Sequence, residues 1–273
     1  MTGQNQLIDR KALLQNRARR MMQQGTFLHD LAIADVQDRL MMVNKSFKDI
    51  VIVTGWADPW AAAFPDARVI EDTDVLDLSV QSCDLIIHAL ALHCANDPVG
   101  QIIQCARSLR PDGLFIAICF GGQTLQELRS SLATAESQIT GGLSPRVLPM
   151  ADLQDLGALL QRGNLALPVA DSAAQTVSYP NLHALMNDLR AMGETNPMTD
   201  RLRRFTPRRL FQHAEEIYKA EFANSGEKLI ATFEQIFLTG WAPDESQQKP
   251  LRPGSAKMRL ADALGVAEHN LKD

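Results

Sequence analysis

Residues 83–122 read CDLIIHALALHCANDPVGQIIQCARSLRPDGLFIAICFGG, and their pattern decides the fold. Asp84 to Leu90 is a short, nearly continuous apolar run, as expected of a parallel strand covered by helices on both faces. From Pro98 to Leu109 the residues Ile102, Ile103, Ala106 and Leu109 recur at helical spacing, with Arg107 and Arg110 where cations favour a helix C-terminus. Arg110-Pro-Asp-Gly113 then reads as a turn, with glycine expected to supply any positive φ. Leu114 to Phe120 is a second buried strand, and Gly121-Gly122 lets the chain leave it at the sheet edge where ligands of open α/β folds bind. A strand, a crossover helix and a parallel strand make this an α/β chain.

Working outward, 273 residues with 45% hydrophobic content suffice for a large core. The formal net charge of -5 argues against a general nucleic-acid binder, which would need a basic excess to release counterions. Small molecules or proteins are the expected partners. The four cysteines, Cys83, Cys94, Cys105 and Cys119, match neither a CxxC pair nor a zinc ribbon, so they are read as buried reduced thiols with no metal role. No apolar run has the length of a membrane span and the N-terminus lacks a signal-peptide core, which makes the cytoplasm the expected compartment.

In chain order, residues 1–48 are expected to form a helical segment, with helices over Leu7 to Met22 and Phe27 to Met42. An α/β domain over 49–248 follows, and 249–273 is expected to be a tail. Ile50 to Val53 and Ala67 to Ile70 are further short strands, which with Asp84 to Ala89 and Leu114 to Cys119 predict four adjacent parallel strands. Helices are expected over Leu125 to Gln138 and Met150 to Gln161, then two strands, Leu165 to Ala170 and Thr176 to Tyr179. A helical insertion over about 181–222 precedes a last strand at Ile230 to Leu238.

A set of local motifs runs through this frame: Leu90-Ala-Leu-His93, Asn96-Asp97, Leu109-Arg-Pro-Asp-Gly113, Phe120-Gly-Gly122, Gly141-Gly142, Tyr179-Pro180, Met192-Gly-Glu194, Gly240-Trp241 and Glu245-Ser-Gln247. Together they resemble the class I S-adenosylmethionine-dependent methyltransferase-like proteins typified by respiratory complex I assembly factor 5, cousins of malonyl-carrier-protein methyltransferase. The resemblance implies a Rossmann-like doubly wound sheet with S-adenosylmethionine over the C-terminal ends of the first strands. It implies action on a protein or carrier-bound substrate, and a protein partner such as a peripheral complex I subunit. It also places Gly55, Ala57, Glu71, Asp72 and Leu90 around the cofactor and His93 and Asn96 beside the transferred methyl. The family's Asp-x-Gly-x-Gly-x-Gly turn falls on Val53, Gly55, Ala57 and Pro59, so the acid and two glycines are gone. The stretch between that turn and Asp84 is also short by about one strand-helix unit.

Each candidate has two readings. Glu71 and Asp72 either bind ribose hydroxyls or end a strand in solvent. His93 either orients or deprotonates an acceptor or ties down its loop. Trp56 and Trp60 either stack on adenine or fill the space of the deleted unit, and Glu194 and Asn196 either face the acceptor or belong to a helix-ending turn. Pro59 lacks an amide donor and, with Ala57, adds bulk, so weak or absent S-adenosylmethionine binding is expected. The protein is then either a methyltransferase or an assembly factor that has lost the cofactor site. On the second reading, Gly55→Val with Asp72→Ala should do little to complex I assembly, whereas replacing the basic cluster Arg203, Arg204, Arg208 and Arg209, which would aid docking, should cut it.

Overall fold

The computed structural model describes residues 6–20 and 25–248. Six strands form one sheet in the order β2-β1-β3-β4-β6-β5. β1 (Ile50–Thr54), β2 (Arg68–Ile70), β3 (Cys83–Ala89) and β4 (Leu109–Phe120) are mutually parallel, with Ile52 opposite Val69 and Ile87, and Ile87 opposite Ile116. β6 (Leu229–Trp241) runs antiparallel to β4, and β5 (Ala166–Tyr179) antiparallel to β6 at the far edge. The four expected parallel strands are therefore present and adjacent. β2 pairs directly with β1, in the place that a missing strand-helix unit would leave open.

The apolar runs split by the two-residue period of a strand. Ile52, Leu85, Ile87, Ala89, Leu114, Ile116 and Ile118 face one layer, built from α2 (Phe27–Met42), α5 (Gln126–Thr140), α7 (Leu182–Met192) and α8 (Arg208–Phe222). Val51, Val53, Ile86, Phe115, Ala117 and Cys119 face the other, built from α4 (Pro98–Ser108) and α6 (Leu153–Arg162). Both faces are covered, which is why β3 and β4 read as continuous apolar runs. All four cysteines are free and buried. Among the described residues no helix is long and apolar enough to cross a membrane.

Three details differ from the sequence reading. The first helix, α1, spans only Arg10–Arg17, capped by Asp9 accepting from the Ala12 amide; the predicted end at Met22 lies outside the described residues. The two short strands expected around 165–179 are one edge strand. Its polar middle, Asp171 to Gln175, looks like a break in sequence but alternates between half-buried and exposed positions on the sheet's rim. A bulge at Ala166/Val169, with Leu167 at φ 49°, accommodates Pro168, which has no amide to give the ladder. Finally, Arg110 to Gly113 stays within β4, and Asp112 rather than Gly113 takes the positive φ, at 60°.

The predicted tail, 249–273, lies outside the described residues. The described residues up to Pro243 form one compact unit, and residues 244–248 fall in a second. In the second, the Ser246 amide and hydroxyl both donate to Asp244 Oδ1, which makes a tight turn.

Candidate functional site

The C-terminal ends of β1 and β3 carry the residues from which a nucleoside site would be built. After β1 the chain turns at Gly55, and the Trp56 amide donates to Thr54 Oγ1 at 3.1 Å. The following helix, α3 (Ala57–Ala63), exposes Ala57 and has Pro59 in its first turn, where a missing amide costs nothing. At the end of β2, Glu71 is exposed while Asp72 is buried to 2% exposure. The two adjacent acids therefore have opposite environments. Leu90, after β3, is buried with φ 46° and donates its amide to the Ile118 carbonyl at 2.9 Å.

What meets Gly55 and Asp72 is the protein's own α1. Arg17 reaches down from its last turn, and its Nη1 and Nη2 donate to Asp72 Oδ1 and Oδ2 at 2.6 and 3.1 Å. Arg10 adds a longer contact to Oδ2 at 3.4 Å. The Arg17 guanidinium lies so close over the turn that a Cβ on Gly55 would be 2.1 Å from its Cζ. Arg20 donates to the Gly55 carbonyl at 2.5 Å and sits 5.0 Å over the Trp56 ring. Burial alone pushes the Asp72 carboxyl up, but the paired Arg17 outweighs it and holds the carboxyl below its usual range. Burial likewise lowers Arg17, and Asp72 more than restores it.

This arrangement does not fit S-adenosylmethionine. A nucleoside bound at a glycine turn needs the space above that glycine and the free oxygens of the acid that follows. Here a guanidinium fills the first and binds both of the second. The indoles complete the filling. Trp60 donates from Nε1 to His29 Nδ1 at 2.9 Å and stacks on Phe64, and Trp56 packs edge-on against His29 at 5.1 Å.

The Trp60 bond ties stability to pH, because only neutral His29 has a lone pair at Nδ1 to accept it. Burial lowers His29 from 6.5 to about 4, so the unfolded chain takes up this proton first. The contribution is complete above the unfolded value and is lost as pH falls toward the folded one. Roughly 1 kcal/mol of stability should disappear between pH 7 and about 5.5, measured by urea unfolding. His29→Gln, which keeps an acceptor without the titration, should flatten that slope.

His93 lies on a 3₁₀ turn, Leu92–Cys94, after β3. Its Nε2 is 3.5 Å from Glu194 Oε2, its ring is 4.7 Å from Phe120, and its Nδ1 has no hydrogen-bond partner among the described residues. Burial disfavours its charge, but neighbouring Cys94 and Glu194 outweigh this and push it up to about 10. Asn96 is spent elsewhere: its Oδ1 accepts from the Ile8 amide at 2.9 Å and its Nδ2 donates to the Ile8 carbonyl at 3.1 Å. Glu194 and Asn196 line a cavity of about 290 Å³ whose apolar walls include Phe120, Leu128, Met186 and Phe211.

Asp72, His93 and Glu194 were singled out in the sequence as candidates for other roles, whereas Arg17 and Arg20, which meet Asp72 and Gly55, were not singled out.

No family model matches the chain. It is 43% identical over 193 residues to the mitochondrial arginine-hydroxylase NDUFAF5 of Dictyostelium discoideum, an alignment covering 70% of this chain and 44% of that protein. It is 34% identical over 233 residues to the mouse NDUFAF5, covering 84% of this chain and 68% of that one. It is 31% identical over 188 residues to the malonyl-[acyl-carrier protein] O-methyltransferase of Xylella fastidiosa, covering 69% and 59%. This chain therefore spans less than half of the Dictyostelium relative and about two thirds of the mouse one. Among solved structures, the YcgJ protein of Bacillus subtilis superposes with a TM-score of 0.51 at 13% identity, covering 77% of this chain and 98% of that one, a likeness of fold alone. With its Rossmann-like sheet and these sequence relatives, the chain belongs to the class I methyltransferase-like family that contains the NDUFAF5 proteins.

Proposed function

We propose that this chain is a protein-binding assembly factor that keeps a methyltransferase fold as a scaffold and uses no S-adenosylmethionine. The observation that carries this reading is the Arg17 guanidinium, seated over Gly55 and donating from both terminal nitrogens to Asp72. A cofactor would have to expel a buried, paired cation, and the turn offers no second or third glycine in exchange. The family resemblance to complex I assembly factors suggests a respiratory-complex subunit as partner. The cytoplasm is the compartment we propose, where the four free thiols stay reduced; the NDUFAF5 relatives carry the word mitochondrial in their names.

The surface supports a protein partner. Between Leu202 and Leu210, Phe205 is fully exposed, and Arg203, Arg204, Arg208 and Arg209 around it are exposed as well. An exposed aromatic flanked in sequence by exposed arginines is the composition of an interface anchor, with charge that speeds encounter with an acidic surface. Replacing the four arginines with glutamate should abolish respiratory complex I assembly in the native host while leaving the unfolding transition of the purified protein within about 0.5 kcal/mol. Normal assembly with that variant would remove this surface from the account.

A second reading, in which the protein modifies a side chain of its partner, is favoured by the apolar cavity that ends at Glu194 and Asn196.

A further inference from the structure

Beside the filled cradle, His93, Cys94 and Glu194 bring a ring nitrogen, a thiol sulfur and a carboxylate oxygen within 4.8 Å of one another. Two come from consecutive residues of the turn after β3. The third comes from the loop after α7, which Gly193 opens at φ 82°. The cluster therefore joins the sheet edge to the helical insertion.

One of its polar atoms lacks a partner and another is loosely held. The His93 side chain is 2% exposed, yet its Nδ1 has no hydrogen-bond partner among the described residues. Its Nε2 stands 3.5 Å from Glu194 Oε2, whereas a charged N–H···O bond ordinarily closes to roughly 2.7–2.9 Å. Around a tetrahedral divalent ion with bonds of about 2.0–2.3 Å, ligand atoms stand about 3.3–3.7 Å apart. The Nε2–Oε2 distance falls in that range, which makes Nε2 the ligating nitrogen, and the other separations, none above 4.8 Å, must close by at most about 1 Å, within reach of a rotamer change.

Donor chemistry narrows the ion. Imidazole, thiolate and carboxylate form a borderline set that suits zinc, whereas calcium and magnesium require shells of oxygen. Charge also balances. A divalent ion on one thiolate and one carboxylate is neutral, and nearby Arg17 is already neutralised by Asp72. We propose that His93, Cys94 and Glu194 form a three-ligand zinc site with one open position, clipping the turn after β3 to the insertion loop. Glu194 and Phe120, whose ring packs on His93, are also part of the cavity wall, so the site stands at that cavity's end. The inference is independent of whether the cradle takes a cofactor.

Cobalt(II) titration of the chelator-treated full-length chain tests it, because thiolate coordination gives a charge-transfer band that oxygen or nitrogen ligands do not. One equivalent should produce the band, zinc should bleach it, and zinc should raise Tm by mass action. Cys94→Ser should lose the band and Cys83→Ser should keep it. Should Cys94→Ser fail to fold by circular dichroism, Glu194→Gln, at a partly exposed position, should still weaken zinc by at least about tenfold. A wild-type protein without the band, a band that survives Cys94→Ser, or unchanged zinc affinity in Glu194→Gln would each overturn the assignment.

Discussion

Asp72→Ala should lower the free energy of unfolding by about 3–5 kcal/mol, because it strands a buried guanidinium without its counter-charge. Arg17 and Asp72 side chains are 9% and 3% exposed, so water cannot take over from the lost carboxylate. Arg10, at 3.4 Å and more open, would be released to solvent and adds little to the penalty. Replacing both partners together should be far milder than either alone, since no unpaired charge then remains: Arg17→Met with Asp72→Ala should recover more than half of the loss. Urea unfolding of the two single variants and the double variant measures this coupling directly. A single Asp72→Ala that unfolds like the wild type would mean that the ion pair is not formed in solution.

Gly55→Val should cost roughly 1–3 kcal/mol, and the cost should depend on Arg17. Glycine is needed here for room, not for an unusual φ, since a Cβ would fall 2.1, 2.4 and 2.5 Å from three guanidinium atoms of Arg17. Those atoms belong to a flexible side chain, but its two bonds to Asp72 hold it in place. In an Arg17→Ala background the clash is gone and Gly55→Val should be close to neutral. The sequence-based expectation that changing Gly55 and Asp72 together would do little concerned complex I assembly, whereas these two predictions concern folding stability, to which both residues contribute through Arg17. That expectation treated the turn as decayed, whereas its glycine and acid are engaged by another part of the chain.

The contrast marks where the sequence is legible. Periodicity within a few residues located β1 to β4 and the helix between β3 and β4, because strands covered on both faces are uniformly apolar and their crossover helix is amphipathic. The edge strand β5 was split, since polar residues on an exposed face look the same as a loop. Asp72 was singled out as an acid at a strand end, but its partner lies 55 positions upstream in α1, which nothing local to Asp72 points to. His93 and Glu194 are separated by 101 residues, and only the packing of the insertion against the sheet edge brings them together. Asn96 sat at the expected place after the central strand, yet both ends of its amide clamp the backbone of Ile8. Position along the fold was readable, whereas the occupation of each polar group depended on tertiary partners.

The central claim is that the protein fills its own cofactor cradle, and isothermal titration of the full-length chain with S-adenosylmethionine, repeated with its demethylated product, tests it most directly. The account predicts no saturable heat at micromolar ligand for the wild type. A dissociation constant of about 1 µM, roughly -8 kcal/mol of binding free energy, would contradict it and would show that Arg17 gives way to the cofactor.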